Sequence, residues 1–198
     1  MERADLRSGH AEAFAELFDT YASSVFWHAL RLVHDRAAAE DVMSETFLVA
    51  WRTRATITAE GGSLRPWLLG IATRQALNAR RGRRRRLALL DRVPEETMVS
   101  DFAEETAARL DDAHQLELTR RALRHLRTHE LEVLSLCVWS HLSYEEAAAA
   151  LKVSVGTVRS RLSRARRRLR ELTAELGEET RATQDRMSSH TTAGEGAR

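Results

Sequence analysis

Between Ala11 and Val33 the apolar residues Phe14, Leu17, Phe18, Tyr21, Val25, Ala29 and Leu32 recur in steps of three and four. That spacing predicts one long amphipathic helix with a single buried stripe. Asp35 is placed to cap a second helix running to about Arg52, with Val42, Phe47, Ala50 and Trp51 as its apolar positions. Gly61-Gly62-Ser63 breaks the pattern as a loop. Pro66 then falls in the first turn of a third helix, where its missing N–H is no loss. That helix carries Trp67, read as core, with Leu68, Ile71, Ala72 and Leu77, and runs into Arg80-Arg81-Gly82-Arg83-Arg84-Arg85-Arg86. Periodicity fades across 87–112, returns at Leu116, Leu123, Leu126, Leu131, Leu134 and Val138, and is absent after Leu176.

Composition sharpens this picture. With 9 glycines and 2 prolines in 198 residues, the chain has too few turn formers for a sheet protein of its size. No run approaches the ~18 apolar residues of a membrane span, and the N-terminus lacks the layout of a signal peptide. The single Cys137, read as a small buried apolar residue, excludes an internal disulfide and fits a cytoplasmic protein. The expectation is an all-α fold of two small helical domains, residues 10–86 and 113–176. An acidic, partly helical linker at 87–112 joins them, and a tail at 177–198 is read as disordered.

Charge adds the first functional hint. The net charge is only +2, yet residues 79–86 hold six arginines and no acid, and residues 159–170 hold seven and no acid. The stretch 87–112 between them has 2 basic and 8 acidic side chains. Two arginine clusters, each closing a helical segment, point to two contacts with a polyanion.

The sharpest local signal lies at 142–166. Ser143-Tyr144-Glu145-Glu146 is a capping box, followed by a short helix with Ala147, Ala148 and Leu151 inward. Lys152-Val153-Ser154 makes a turn, and Ser154 caps a second helix with Val158, Leu162, Ala165 and Leu169 on its inner stripe. Thr157, Arg159, Ser160, Arg161 and Arg164 are left near its start, as in the recognition helix of a DNA-binding helix-turn-helix. Arginine suits guanine edges, and the remaining side chains suit phosphates.

Leu142 through Ala148 and Gly156 through Arg166 resemble the C-terminal DNA-binding region of bacterial RNA polymerase sigma factors, the small extracytoplasmic-function (ECF) type above all. Lys152 stands where that family usually has glycine, in a turn where left-handed backbone costs on the order of 1 kcal/mol. Asp35 through Arg52 resembles the helix by which the family grips the clamp of the polymerase's largest subunits. The resemblance assigns that contact to Asp41, Ser44, Glu45 and Leu48, with Asp41 and Glu45 one helical turn apart. Pro66 through Arg81 is similar to the helix that opens and reads the −10 element, which assigns Arg74, Asn78, Arg80 and Arg81 to DNA there. Arg74 stands where Asn is common, so no base preference carries over. The loop at 54–63 is placed to receive an unstacked base.

The resemblance implies a sigma factor that binds core RNA polymerase and promoter DNA, reading −10 and −35 elements through its two domains. It also implies an anti-sigma factor as a candidate partner, with no cofactor, no metal and no membrane insertion. A free-standing helix-turn-helix regulator explains 142–166 but leaves 35–81 without a role. An enzyme reading has only Asp111 with His114, or His125 with His129, as ligand-like spacings, and neither has acids or cysteines to complete a site.

Overall fold

A computed structural model describes the backbone of residues 3–58, 61–90 and 107–194, with side chains except at 87–90, 107–114 and 181–194. Among the described residues all regular structure is helical. Helix α1 spans Arg3–Ser8, α2 Ala11–Val33, α3 Arg36–Thr53 and α4 Arg65–Leu90, with a 3-10 turn at Arg54–Thr56. Helix α5 spans Ala107–Arg124, α6 Thr128–Leu134, α7 Tyr144–Leu151 and α8 Val155–Gly194. A π-helical turn, Ser135–Trp139, follows α6.

Local chemistry explains the boundaries. Asp35 caps α3 by accepting the Ala38 N–H at 2.7 Å. His34 ends α2 in left-handed backbone, its N–H bonded to the Leu30 carbonyl at 2.8 Å. Gly9, between α1 and α2, has φ +83°, and a Cβ there would meet the Arg54 guanidinium at 2.9 Å, so glycine serves both conformation and space. Ser63 accepts the Arg65 N–H at 3.1 Å and starts α4.

Contacts group the chain into two compact units, residues 1–100 with 132–160, and 101–131 with 161–198. In the first unit α2, α3 and α4 pack on one another. Leu17, Leu32, Leu68 and Leu69 are fully buried, each stabilising the bundle by roughly 1.5–3 kcal/mol. Phe14 meets Phe47 and Trp51 edge-on at 6.2 and 5.1 Å, and Phe18 lies 4.7 Å from Phe47, stitching α2 to α3. Trp67 is half-buried, and Cys137 is partly exposed where the sequence reading buries it. Helix α4 also carries α7.

In the second unit Leu118, Ala122 and Leu176 form a small core, with Leu169 and Leu172 against it. The sequence reading expects disorder after Leu176, whereas α8 continues to Gly194. Residues 177–184 are mostly helix formers, and extending an existing helix needs neither a new nucleus nor an apolar stripe. Residues 195–198 and the linker's 91–106 lie outside the described residues, while 87–90 and 107–112 belong to α4 and α5.

Candidate functional site

Three surfaces collect the residues singled out by sequence. On α3 the inner positions Ala39, Val42, Thr46, Phe47 and Ala50 are buried. Asp41, Ser44 and Leu48 are exposed and Glu45 is half-exposed, so the structure brings all four to the outside of one helix. Leu48 stands out as a leucine 50 % exposed among acids. Half of that apolar side chain is left in water. Glu45 lies 3.9 Å from Arg52 in an exposed pair of little energetic weight.

On α4, Leu68, Leu69, Ile71, Ala72, Ala76 and Leu77 turn inward. Arg74, Asn78 and Arg81, at steps of four and three, are exposed along one row. Arg80 lies off that row and is half-buried. Nearby, Arg3 of α1 donates to the Thr58 carbonyl at 3.1 Å and to the Gly62 carbonyl, tying the ends of the 58–62 loop. Sequence reasoning missed Arg3, because a six-residue helix has too few positions to show a period.

At the helix-turn-helix, the capping box of Ser143 and Glu146 is formed reciprocally at 3.1 and 2.8 Å. Lys152 takes the left-handed backbone expected of the turn, with φ 56°. Ser154 caps α8, accepting the Thr157 N–H at 3.1 Å and pairing with the Thr157 hydroxyl at 2.9 Å. Thr157, Ser160, Arg161 and Arg164 share one face of α8, with Ser160 and Arg164 exposed. Arg159 is exposed on another flank, its guanidinium 5.9 Å from the Tyr144 ring centroid, so α7 props the arginine nearest the helix start.

His125 and His129 do not share a helix face, for the turn between α5 and α6 separates them. Asp111 and His114 lie outside the residues whose side chains are described. Among the described residues no three His, Cys, Asp or Glu side chains gather as a metal site would require.

A family profile for Sigma-70 region 2 matches residues 17–86, and one for Sigma-70 region 4 matches residues 116–169. The ECF RNA polymerase sigma factor SigL of Mycobacterium tuberculosis is 32 % identical over 170 residues, covering 86 % of this chain and 94 % of SigL. The chain belongs to the ECF sigma factors. RNA polymerase sigma factor CarQ of Myxococcus xanthus is similar too, 34 % identical over 176 residues, which cover 89 % of this chain and 97 % of CarQ. Among solved structures, this sigma factor is similar to RpoE of Bartonella quintana, crystallised with the anti-sigma factor NepR. The identity is 29 % and the TM-score 0.59, with 82 % of this chain and 97 % of that one covered. CnrH, solved with the cytosolic domain of CnrY, aligns at 25 % identity and TM-score 0.59 over 87 % of this chain and 95 % of that one. Sigma factors as a class are initiation factors that join RNA polymerase, not enzymes. No helix among the described residues of this one is long and apolar enough to cross a membrane.

One group within the sigma factor's first unit escaped the sequence reading altogether. His28 is buried, with Nε2 2.8 Å from the Thr73 hydroxyl and Nδ1 2.8 Å from the Ser140 hydroxyl. Thr73 gives its one proton to the Leu69 carbonyl at 2.7 Å. Its oxygen therefore accepts from His28 Nε2–H, which leaves Nδ1 to accept from Ser140. Burial, then the charges of Arg31 and Arg65, push the imidazole pKa down from 6.5 to about 4. The available signal was positional: His28 sits on the apolar stripe with Val25, Ala29 and Leu32. Its partner Ser140 lies 112 residues away, beyond the reach of any periodicity.

Proposed function

We propose that this sigma factor binds core RNA polymerase through the outer face of α3, with Asp41, Ser44, Glu45 and Leu48 as the contact. Arg74, Asn78, Arg80 and Arg81 of α4 then engage the −10 element, with Arg74, Asn78 and Arg81 along the exposed row. Thr157, Arg159, Ser160, Arg161 and Arg164 at the start of α8 engage the −35 element. The observation that carries this reading is the paired match to regions 2 and 4, in order along one chain, with each assigned residue group on its own helix. The Thr157 hydroxyl also pairs with Ser154 at the cap, so Thr157 fixes the start of the helix that presents this group.

Polymerase performs the chemistry and this chain supplies recognition, in the cytoplasm where the transcription machinery works. The domains expected at 10–86 and 113–176 act as the two reading heads, the 87–112 segment spans between them, and its acidic charge keeps it off DNA. An anti-sigma factor is the expected further partner, and RpoE of Bartonella quintana is crystallised with one, NepR.

The test mixes purified protein with sigma-free core RNA polymerase and follows co-elution on a sizing column at moderate salt. A stoichiometric complex is expected. Absence of a complex with DNA binding intact would favour a free-standing regulator.

A further inference from the structure

Helix α1 has six residues and one buried anchor, Leu6. Too short to be stable by itself, it is held by what it touches. It packs on α2 and on the 3-10 turn at Arg54–Thr56. From its first position Arg3 reaches the stretch of chain that follows that turn. One guanidinium nitrogen donates to the Thr58 carbonyl at 3.1 Å and to the Thr58 hydroxyl at 3.4 Å, and the other donates to the Gly62 carbonyl. Buried Ile57 and Leu64 anchor the two ends of the connection between α3 and α4, while Thr58, Gly61, Gly62 and Ser63 between them are exposed. Gly61 has φ +139°, and a Cβ there would stand 3.3 Å from the Arg3 guanidinium. Two successive glycines give this stretch wide conformational freedom. A planar fork that grips it at two carbonyls removes freedom that a ligand would otherwise have to remove.

The grip also sets a direction. In a trans peptide the Ser63 N–H points opposite to the Gly62 carbonyl, and so away from Arg3. Ser63 is fixed a second time, its Oγ 3.2 Å from the Tyr21 hydroxyl of α2 and accepting the Arg65 N–H at 3.1 Å. The entry to α4 is thus an exposed surface of small residues with an oriented backbone donor. Such a surface suits the edge of an unstacked base, which needs close backbone approach and fixed donors. We propose that Arg3 is a positioning residue for promoter opening: it holds the connection ahead of α4 in the shape that takes up an unstacked base of the −10 element, without touching DNA itself. The inference rests on the assignment of α4 to that element. A guanidinium committed to two carbonyls acts through the backbone it grips, whereas a cation facing DNA acts through its charge. Substitution by lysine separates the two roles.

The test uses the full chain joined to core polymerase, with a promoter duplex that the wild type selects from a randomised pool. Closed-complex affinity is read by gel shift in the cold, and the opening rate by the permanganate reactivity of unstacked thymines. Arg3→Ala should leave closed-complex affinity unchanged and slow opening about tenfold, the scale of one lost hydrogen bond from a charged donor. Arg3→Lys keeps the charge, loses the fork and should open as slowly as the alanine variant. Arg7→Ala removes the same charge from an exposed position on α1 and should open at the wild-type rate. Arg3 lies outside the packing of α2, α3 and α4 on one another, so every variant should keep its helix content and co-elute with polymerase. Should Arg3→Ala lose helix content, Arg3→Lys carries the test. A wild-type rate in Arg3→Ala or in Arg3→Lys would overturn the proposal, as would equal slowing in Arg7→Ala. A wild type that joins polymerase but selects no promoter would bring down the reading of α4, and this inference with it.

Discussion

His28 makes the pH dependence of stability a direct test of the buried clasp. In the folded chain its pKa falls to about 4 from 6.5, chiefly through burial, and at 2 % exposure solvent does little to screen the effect. Above pH 6.5 both folded and unfolded chains hold the ring neutral, and the clasp contributes in full. As pH falls from 6.5 towards 4 the unfolded chain takes up a proton that the folded chain refuses. Stability then drops by up to about 1.4 kcal/mol per pH unit, on the order of 3 kcal/mol over the whole window, and the loss levels off below it. Between pH 7.5 and 5.5 the share due to this one residue is about 1.3 kcal/mol. His28→Gln keeps a donor and an acceptor but cannot titrate. Urea unfolding followed by far-ultraviolet circular dichroism should be run on both proteins at pH 7.5, 6.5 and 5.5, at constant ionic strength. The other seven histidines and the carboxylates cancel in the difference between the proteins. The variant should be less stable at pH 7.5 and should lose about 1.3 kcal/mol less on acidification. Parallel pH profiles would refute the buried neutral imidazole and the clasp with it.

Other perturbations address the remaining surfaces. Reversing Asp41 and Glu45 to Arg should weaken core polymerase binding at least tenfold in a fluorescence titration without changing thermal stability, and unchanged affinity would remove the α3 face from the contact. Arg159→Ala with Arg161→Ala should lower affinity for a −35 duplex by ten- to a hundredfold at fixed salt while sparing polymerase association. If about six arginines neutralise phosphates, log K plotted against log salt should have a slope near −5, and a slope near zero would place the arginine clusters elsewhere than on DNA. Lys152→Gly should raise unfolding stability by about 1 kcal/mol by relieving left-handed backbone at a non-glycine residue, which chemical denaturation would detect.

What the sequence made legible was what short-range physics decides. The three- and four-residue steps delimited α2, and the capping chemistry of Asp35, Ser143 and Ser154 located the starts of α3, α7 and α8. Spacing alone already set Asp41 with Glu45 on one helix face and left Arg164 outward, while Leu48 and Asn78 were singled out only by the family resemblance. Helix α1 was invisible because its one buried anchor, Leu6, sets no period. The continuation of α8 past Leu176 was misread because a helix extended from a stable one needs no stripe of its own. The seating of α7 on α4 depends on Gly70 meeting Ala150, eighty positions apart, and a lone glycine carries no mark of its partner.

The short bond network of Arg3 bears on how the protein should be handled. Arg3 donates to the carbonyls of Thr58 and Gly62 and so buckles α1 to the segment that leads into α4. A preparation cleaved within α1 would lose this buckle and keep the packing of α2, α3 and α4 on one another.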